Sequence, residues 1–221
     1  MKVGIIAPIE SLKKYCITDI QYCIPNLIVS SKEYRDFYKE QEKKASLLVL
    51  DTVKVGWKRE PEDFGVVEKA LSYINPTLII TPSYMYNLNK TIEVAEQFLT
   101  NFKPKMVAGC LEGTTEKEVQ VCSAALKELG VNTKAIPAHI LRIKKEVKGN
   151  GPTIYIDNHL TIKELDGLEG VLVTSLPIRL GLQGRLLSDY MPSPPLLNFY
   201  EEDKFQEMIE KNIKELRNFY E

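Results

Sequence analysis

Eight short apolar runs, rich in β-branched residues, recur along the chain at residues 3–7, 24–29, 47–50, 77–80, 106–110, 134–136, 153–156 and 171–173. Between most of them lies a stretch with helical periodicity. Strand–helix alternation is the pattern of a parallel sheet, because parallel neighbours need a crossover connection between them. Unbroken apolar runs fit strands buried on both faces. Eight such units favour an α/β fold of the compact (β/α)8 TIM-like barrel type. It would be a single domain over residues 1–221, with a closing helix over 201–220. The competing architecture is an open doubly wound sheet of five or six strands. That fold usually carries a Gly-rich phosphate turn after its first strand. Here Pro8-Ile9-Glu10-Ser11 follows instead, and the chain has neither GxGxxG nor a Walker sequence. Dinucleotide and NTP chemistry lose support accordingly, and no cofactor is expected.

Local signals divide the chain further. Residues 20–29 are expected to carry the second strand, delayed by Pro25. Ser30 and Ser31 offer N-caps for a helix over 32–44, whose Tyr34, Phe37 and Tyr38 share one face and read as core. Phe64, Val67, Leu71 and Ile74 keep helical step over 62–74, and Asn75-Pro76 stops that helix. Thr115 can cap the helix that runs to Leu129, with Glu118 as its capping-box partner and Gly130 at the C′ position.

The formal net charge of −1 gives no overall attraction to nucleic acid. The four cysteines, Cys16, Cys23, Cys110 and Cys122, show no CxxC pair and read as reduced and buried. No metal is expected. No apolar run approaches the ~20 residues that span a bilayer. The opening MKVGIIAPIESLKKYC lacks the pattern of a signal peptide, so a cytoplasmic location without membrane partners is expected.

In a parallel barrel the C-terminal strand ends share one face, and that face carries the chemistry. Residues that follow the apolar runs include Asp51, Ser83, Glu112, His139, Asp157, His159, Thr174, Ser175 and Arg179. Asp51 and Asp157 are the candidate catalytic groups, because an aspartate just past a buried strand can act as a base or as a nucleophile at an acetal-like carbon. The plainer alternative is a helix cap or a loop hydrogen bond. His139 and His159 are the only histidines, each a candidate base. Together with Asp157 they offer three metal-binding groups, although their spacing is not that of a metal motif. The segment from Pro177 to Arg185 reads as an anion-binding stretch or a structural turn.

The order of these strand-end residues resembles the tRNA-guanine transglycosylase superfamily, including relatives that insert 7-deazaguanines into DNA. Leu48-Val49-Leu50-Asp51-Thr52 is similar to the family's TDSGG-like motif after strand three. Cys110-Leu111-Glu112-Gly113 stands at its base-binding VQG, Ile136-Pro137-Ala138-His139 at its GGL segment, and Val173-Thr174-Ser175-Leu176-Pro177-Ile178-Arg179 at its DCVxPTRxAR. The likeness runs along most of the chain. It departs where the family's strand-eight nucleophile would stand, which is here Val173-Thr174-Ser175, and where Glu112 replaces glutamine. The family's three-cysteine, one-histidine zinc site and its tRNA-gripping insertion are missing.

The resemblance implies an enzyme that exchanges a guanine or 7-deazaguanine base at an N-glycosidic bond, in nucleic acid or nucleotide. Asp51 or Asp157 would attack or stabilise C1′, and the other would handle the proton. Ser83, Glu112, Gly113, Ala138, His139, Thr174, Ser175 and Arg179 would bind the base. The implied partners are a purine or 7-deazapurine base and tRNA or DNA, with a second copy or a partner subunit also open. Two other readings remain. One is a non-catalytic deazapurine-binding or partner subunit, which the missing strand-eight carboxylate suggests. The other is a small-molecule barrel lyase or hydrolase using His139 and His159.

Overall fold

A computed structural model describes residues 2–54, 59–143, 153–157, 169–175, 177–178 and 206–220. Eight strands close into a parallel barrel in chain order: β1 (Lys2–Ile5), β2 (Ile20–Cys23), β3 (Leu47–Asp51), β4 (Leu78–Ile80), β5 (Val107–Cys110), β6 (Thr133–Pro137), β7 (Thr153–Asp157) and β8 (Val171–Thr174). Closure is made by β1 against β8, where Gly4 pairs with Val173 and Ile5 with Thr174. The described helices are α1 (Leu12–Tyr15), α2 (Pro25–Ser30), α3 (Lys32–Lys44), α4 (Phe64–Tyr73), α5 (Leu88–Phe102), α6 (Glu116–Glu128), α7 (Ala138–Ile143) and α8 (Gln206–Tyr220).

One expectation needs correction. Residues 24–29 do not form a strand. The second strand is Ile20–Cys23, and Pro25 opens helix α2. A proline has no N–H to give a sheet ladder, but its fixed φ suits the first helical position. Residues 138–143 form the short helix α7 directly after β6.

Strand alternation sorts the apolar residues into layers. Ile20, Tyr22, Val49, Leu78, Ile80, Ala108, Cys110, Ala135, Ile154, Ile156 and Val173 cluster inside the barrel. Gly4 lies among them. A Cβ there would stand 2.8 Å from Val173 Cγ1 and 3.0 Å from Ile20 Cγ2. Gly4, Ala108 and Ala135 leave interior volume for the bulk of Tyr22. The alternate residues face the helices. Leu48, Leu50 and Ile79 meet α2 to α5, where Phe98 stacks on Phe102 and meets Phe64 edge-on. Val3 and Ile5 meet Ile209, Ile213 and Leu216 of α8.

The helix ends follow their capping signals. Ser31 accepts the Tyr34 N–H at the start of α3, and Thr115 accepts the Glu118 N–H at the start of α6. The Glu118 carboxylate reaches back to the Thr115 backbone N–H, as a capping-box partner does. It accepts also from the backbone N–H and hydroxyl of Thr114, one residue earlier. Gly130, at φ +85°, turns α6 off, with its N–H on the Lys127 carbonyl and the Val131 N–H on that of Leu126.

Candidate functional site

Because all eight strands are parallel, Asp51, Glu112, His139, Asp157 and Thr174 belong to one end of the barrel. Asp51 is the last residue of β3, Glu112 lies two residues past β5, and His139 is the second residue of α7, directly after β6. Asp157 ends β7 in register with Thr174, which ends β8. Asp51, Ser83, Glu112 and Thr174 are fully buried.

Asp51 is held by three donors. Arg59 Nη1 donates to one carboxylate oxygen and Nη2 to the other, each at 2.8 Å. The Tyr22 hydroxyl donates to the first of these oxygens at 2.5 Å from inside the barrel. This is the parallel two-donor fork that arginine makes with a carboxylate, among the strongest charge-assisted contacts a protein forms. Burial and the adjacent Asp51 charge push the Tyr22 phenol well above its ordinary range, so it stays a donor. Burial alone would weaken the Arg59 guanidinium, but the Asp51 carboxylate outweighs it and holds the group protonated.

A second carboxylate sits beside the first. Glu112 accepts from the Ser83 hydroxyl at 3.2 Å through one oxygen. Through the other it accepts from the Tyr86 backbone N–H at 3.2 Å and meets His139 Nε2 at 2.7 Å. Arg59 links the two carboxylates. Its Nε donates to Ser83 Oγ at 3.2 Å and lies 3.9 Å from Glu112 Oε1. One network therefore runs Tyr22–Asp51–Arg59–Ser83–Glu112–His139. The Tyr86 ring packs edge-on against the His139 ring, with centroids 4.8 Å apart. Tyr86 pays for its place with a left-handed backbone, φ +61°, a conformation that non-glycine residues seldom adopt.

Loop chemistry brings these groups in. After β3 the chain goes out and returns as a narrow ladder, with Val53 bridging Pro61, the Lys54 N–H on the Glu60 carbonyl and the Glu62 N–H on that of Thr52. The Met85 N–H on the Arg59 carbonyl ties this loop to the one after β4. Arg59 is thus aimed back over the mouth, with only 13% of its side chain exposed. Gly113 lets the chain pass close to α6. A Cβ there would stand 2.9 Å from that of Glu118 and 3.0 Å from the Val119 nitrogen.

The structure brings Asp51, Ser83, Glu112 and His139 into one contact network. Gly113, Ala138, Thr174 and Ser175 occupy strand-end positions of the same mouth. Asp157 does so by its backbone. Arg179 and His159 lie outside the described residues. Arg59, Tyr22 and Tyr86 were missed. The one legible signal for Arg59 was its place in the loop after strand three; Tyr22 looked like any aromatic on a strand.

The cysteines behave as core. Cys16 donates to the Ile5 carbonyl at 3.0 Å and Cys23 to that of Val49 at 3.4 Å. Burial pushes the Cys16 thiol up to about 12 and the Cys122 thiol up to about 11. Among the described residues no cluster of three His, Cys, Asp or Glu is placed to hold a metal ion, and no helix is long and apolar enough to cross a membrane. A cleft of about 560 Å³ lies away from the mouth, between α1 and α8. No family model and no curated protein matches the chain.

Proposed function

We propose that the barrel mouth recognises the edge of a guanine-type base, guanine or a 7-deazaguanine, and acts at its N-glycosidic bond in a base exchange of the tRNA-guanine transglycosylase kind. The observation that carries this reading is the pair of buried carboxylates, Asp51 and Glu112, joined through Arg59 and Ser83 at the strand ends. A guanine edge offers an N1–H and an exocyclic amino group side by side, and a rigid carboxylate is the acceptor that matches two parallel donors. The order of strand-end motifs, Asp51 after β3, Glu112 after β5 and His139 after β6, supports the same choice.

On this reading Asp51 accepts the base edge. Asp157, ending β7, is the carboxylate that attacks C1′: its oxygen bonds to C1′ as the C1′–N bond to the outgoing base breaks. The incoming base then reverses the step and frees the aspartate. The outgoing base needs a proton and the incoming one must lose it. His139 suits this transfer. With Nε2–H donated to the buried Glu112, the ring is oriented and Nδ1 becomes the basic nitrogen.

A second reading, binding without turnover, is favoured by one observation. β8 ends in Val173-Thr174, with no carboxylate at the place where the resembled family carries its nucleophile. A paired assay separates the two. Incorporation of labelled 7-deazaguanine into tRNA, DNA or a nucleotide supports exchange. Calorimetric binding of 7-deazaguanine with no incorporation supports the binding subunit. Absence of both rejects the purine reading.

A further inference from the structure

We propose that Arg59 is the tethered occupant of a seat at Asp51 built for a planar two-donor edge, and that a ligand enters by replacing the arginine's fork with its own. The seat itself rests on geometry, and its occupant's identity as a guanine-type base rests on the function proposed above.

Seat and occupant come from different parts of the fold. Asp51 ends a central strand, is fully buried and is fixed from within the barrel by Tyr22. It cannot move without disturbing the barrel. Arg59 stands on the loop after β3, and its backbone is pinned through its carbonyl to Met85. Only its side chain needs to swing, at the solvent edge of the site. A landing place lies next to it: Nε already donates to Ser83 and lies 3.9 Å from Glu112. Displaced from Asp51, the guanidinium keeps a carboxylate partner, so neither buried acid is abandoned.

The chemistry of the fork selects the ligand. The N1–C2–amino portion of guanine is a guanidine closed into a ring, with two N–H bonds pointing the same way. It can stand where Nη1 and Nη2 stand now. Adenine presents a donor beside an acceptor, which sets a lone pair against a carboxylate oxygen. Hypoxanthine presents one donor only. Arg59 therefore sets specificity as well as access: a ligand that cannot match its fork cannot replace it, and a ligand that can must compete with it.

The test uses the full chain with Arg59→Ala and two probes, guanidinium and 7-deazaguanine. The seat assignment expects low-millimolar guanidinium chloride to raise the thermal midpoint of Arg59→Ala, where ammonium chloride at the same concentration does not. The rise should vanish in the double variant Asp51→Asn/Arg59→Ala. With its competitor gone, Arg59→Ala should bind 7-deazaguanine at least ~10-fold more tightly than the parent, with hypoxanthine weaker and adenine weaker still. If Arg59→Ala does not fold, Arg59→Lys serves for both arms, since an ammonium holds a charge but offers no fork. No guanidinium effect in the variant that folds overturns the seat. Equal 7-deazaguanine affinity in parent and variant overturns displacement while leaving a purine site standing. Guanidinium rescue with no purine binding in either protein supports the seat and sinks the purine reading instead.

Discussion

At the scale of single residues, the mouth turns on how one arginine and one histidine divide two buried acids. Asp51 has its charge met by Arg59, and Glu112 has His139. The division assigns different effects to neighbouring changes. His139→Gln keeps a polar group of similar reach but removes the proton carrier of the proposed exchange, so on that proposal base exchange should fall by ~10²–10⁴ while base affinity is unchanged. Single-turnover incorporation measured beside calorimetry checks it, and a matching loss in both would return His139 to a binding role. Tyr22→Phe removes one hydroxyl from Asp51 and leaves the barrel volume intact. It should lower stability by about 1–3 kcal/mol in a denaturant titration, the cost of depriving a buried charge of a donor.

Secondary-structure elements show which features a linear reading can reach. A Cβ at Gly170, which precedes β8 at φ +139°, would overlap the Thr153 carbonyl oxygen of β7. Gly170→Ala should therefore weaken the β7–β8 seam and destabilise by more than ~1 kcal/mol, a loss that thermal unfolding reads directly. Thr115→Ala removes the cap of α6 and should cost about 1 kcal/mol. Seven strands, the caps at Ser31 and Thr115 and the stop at Gly130 were legible because each is a local signal. Asp51, Glu112 and His139 were legible for the same reason, as polar residues just past apolar runs. Residues 24–29 misled because β-branched content was weighed above a proline that fits a helix start. Arg59 was hidden because a charged residue in a loop reads as solvated, and only the ladder from Val53 to Pro61 and the tie to Met85 turn it inward. Tyr22 was hidden because its partner, Asp51, is 29 residues away.

Among the described residues the whole molecule has an inner layer, an outer apolar layer and a mouth that carries the buried acids, and its buried thiols and phenols couple the first two to pH. Burial raises the cysteines from an ordinary 9.0 and Tyr22, Tyr34 and Tyr38 from an ordinary 10.0. The folded chain holds these protons where the unfolded chain releases them. Their contribution is thus complete below pH 9 and declines above it, first through the thiols and then through the phenols. Denaturant midpoints should be level with respect to these groups from pH 7 to 8 and fall steadily from pH 9 to 11. A midpoint that holds to pH 11 would contradict the burial of these side chains. The most direct test of the proposed function is a crystal structure of the chain soaked with 7-deazaguanine. The base should lie at the C-terminal mouth, its N1–H and amino group on the two oxygens of Asp51 and the Arg59 side chain turned toward Ser83 and Glu112. A base found in the cleft between α1 and α8, or Arg59 still forked on Asp51 with the base elsewhere, would contradict it.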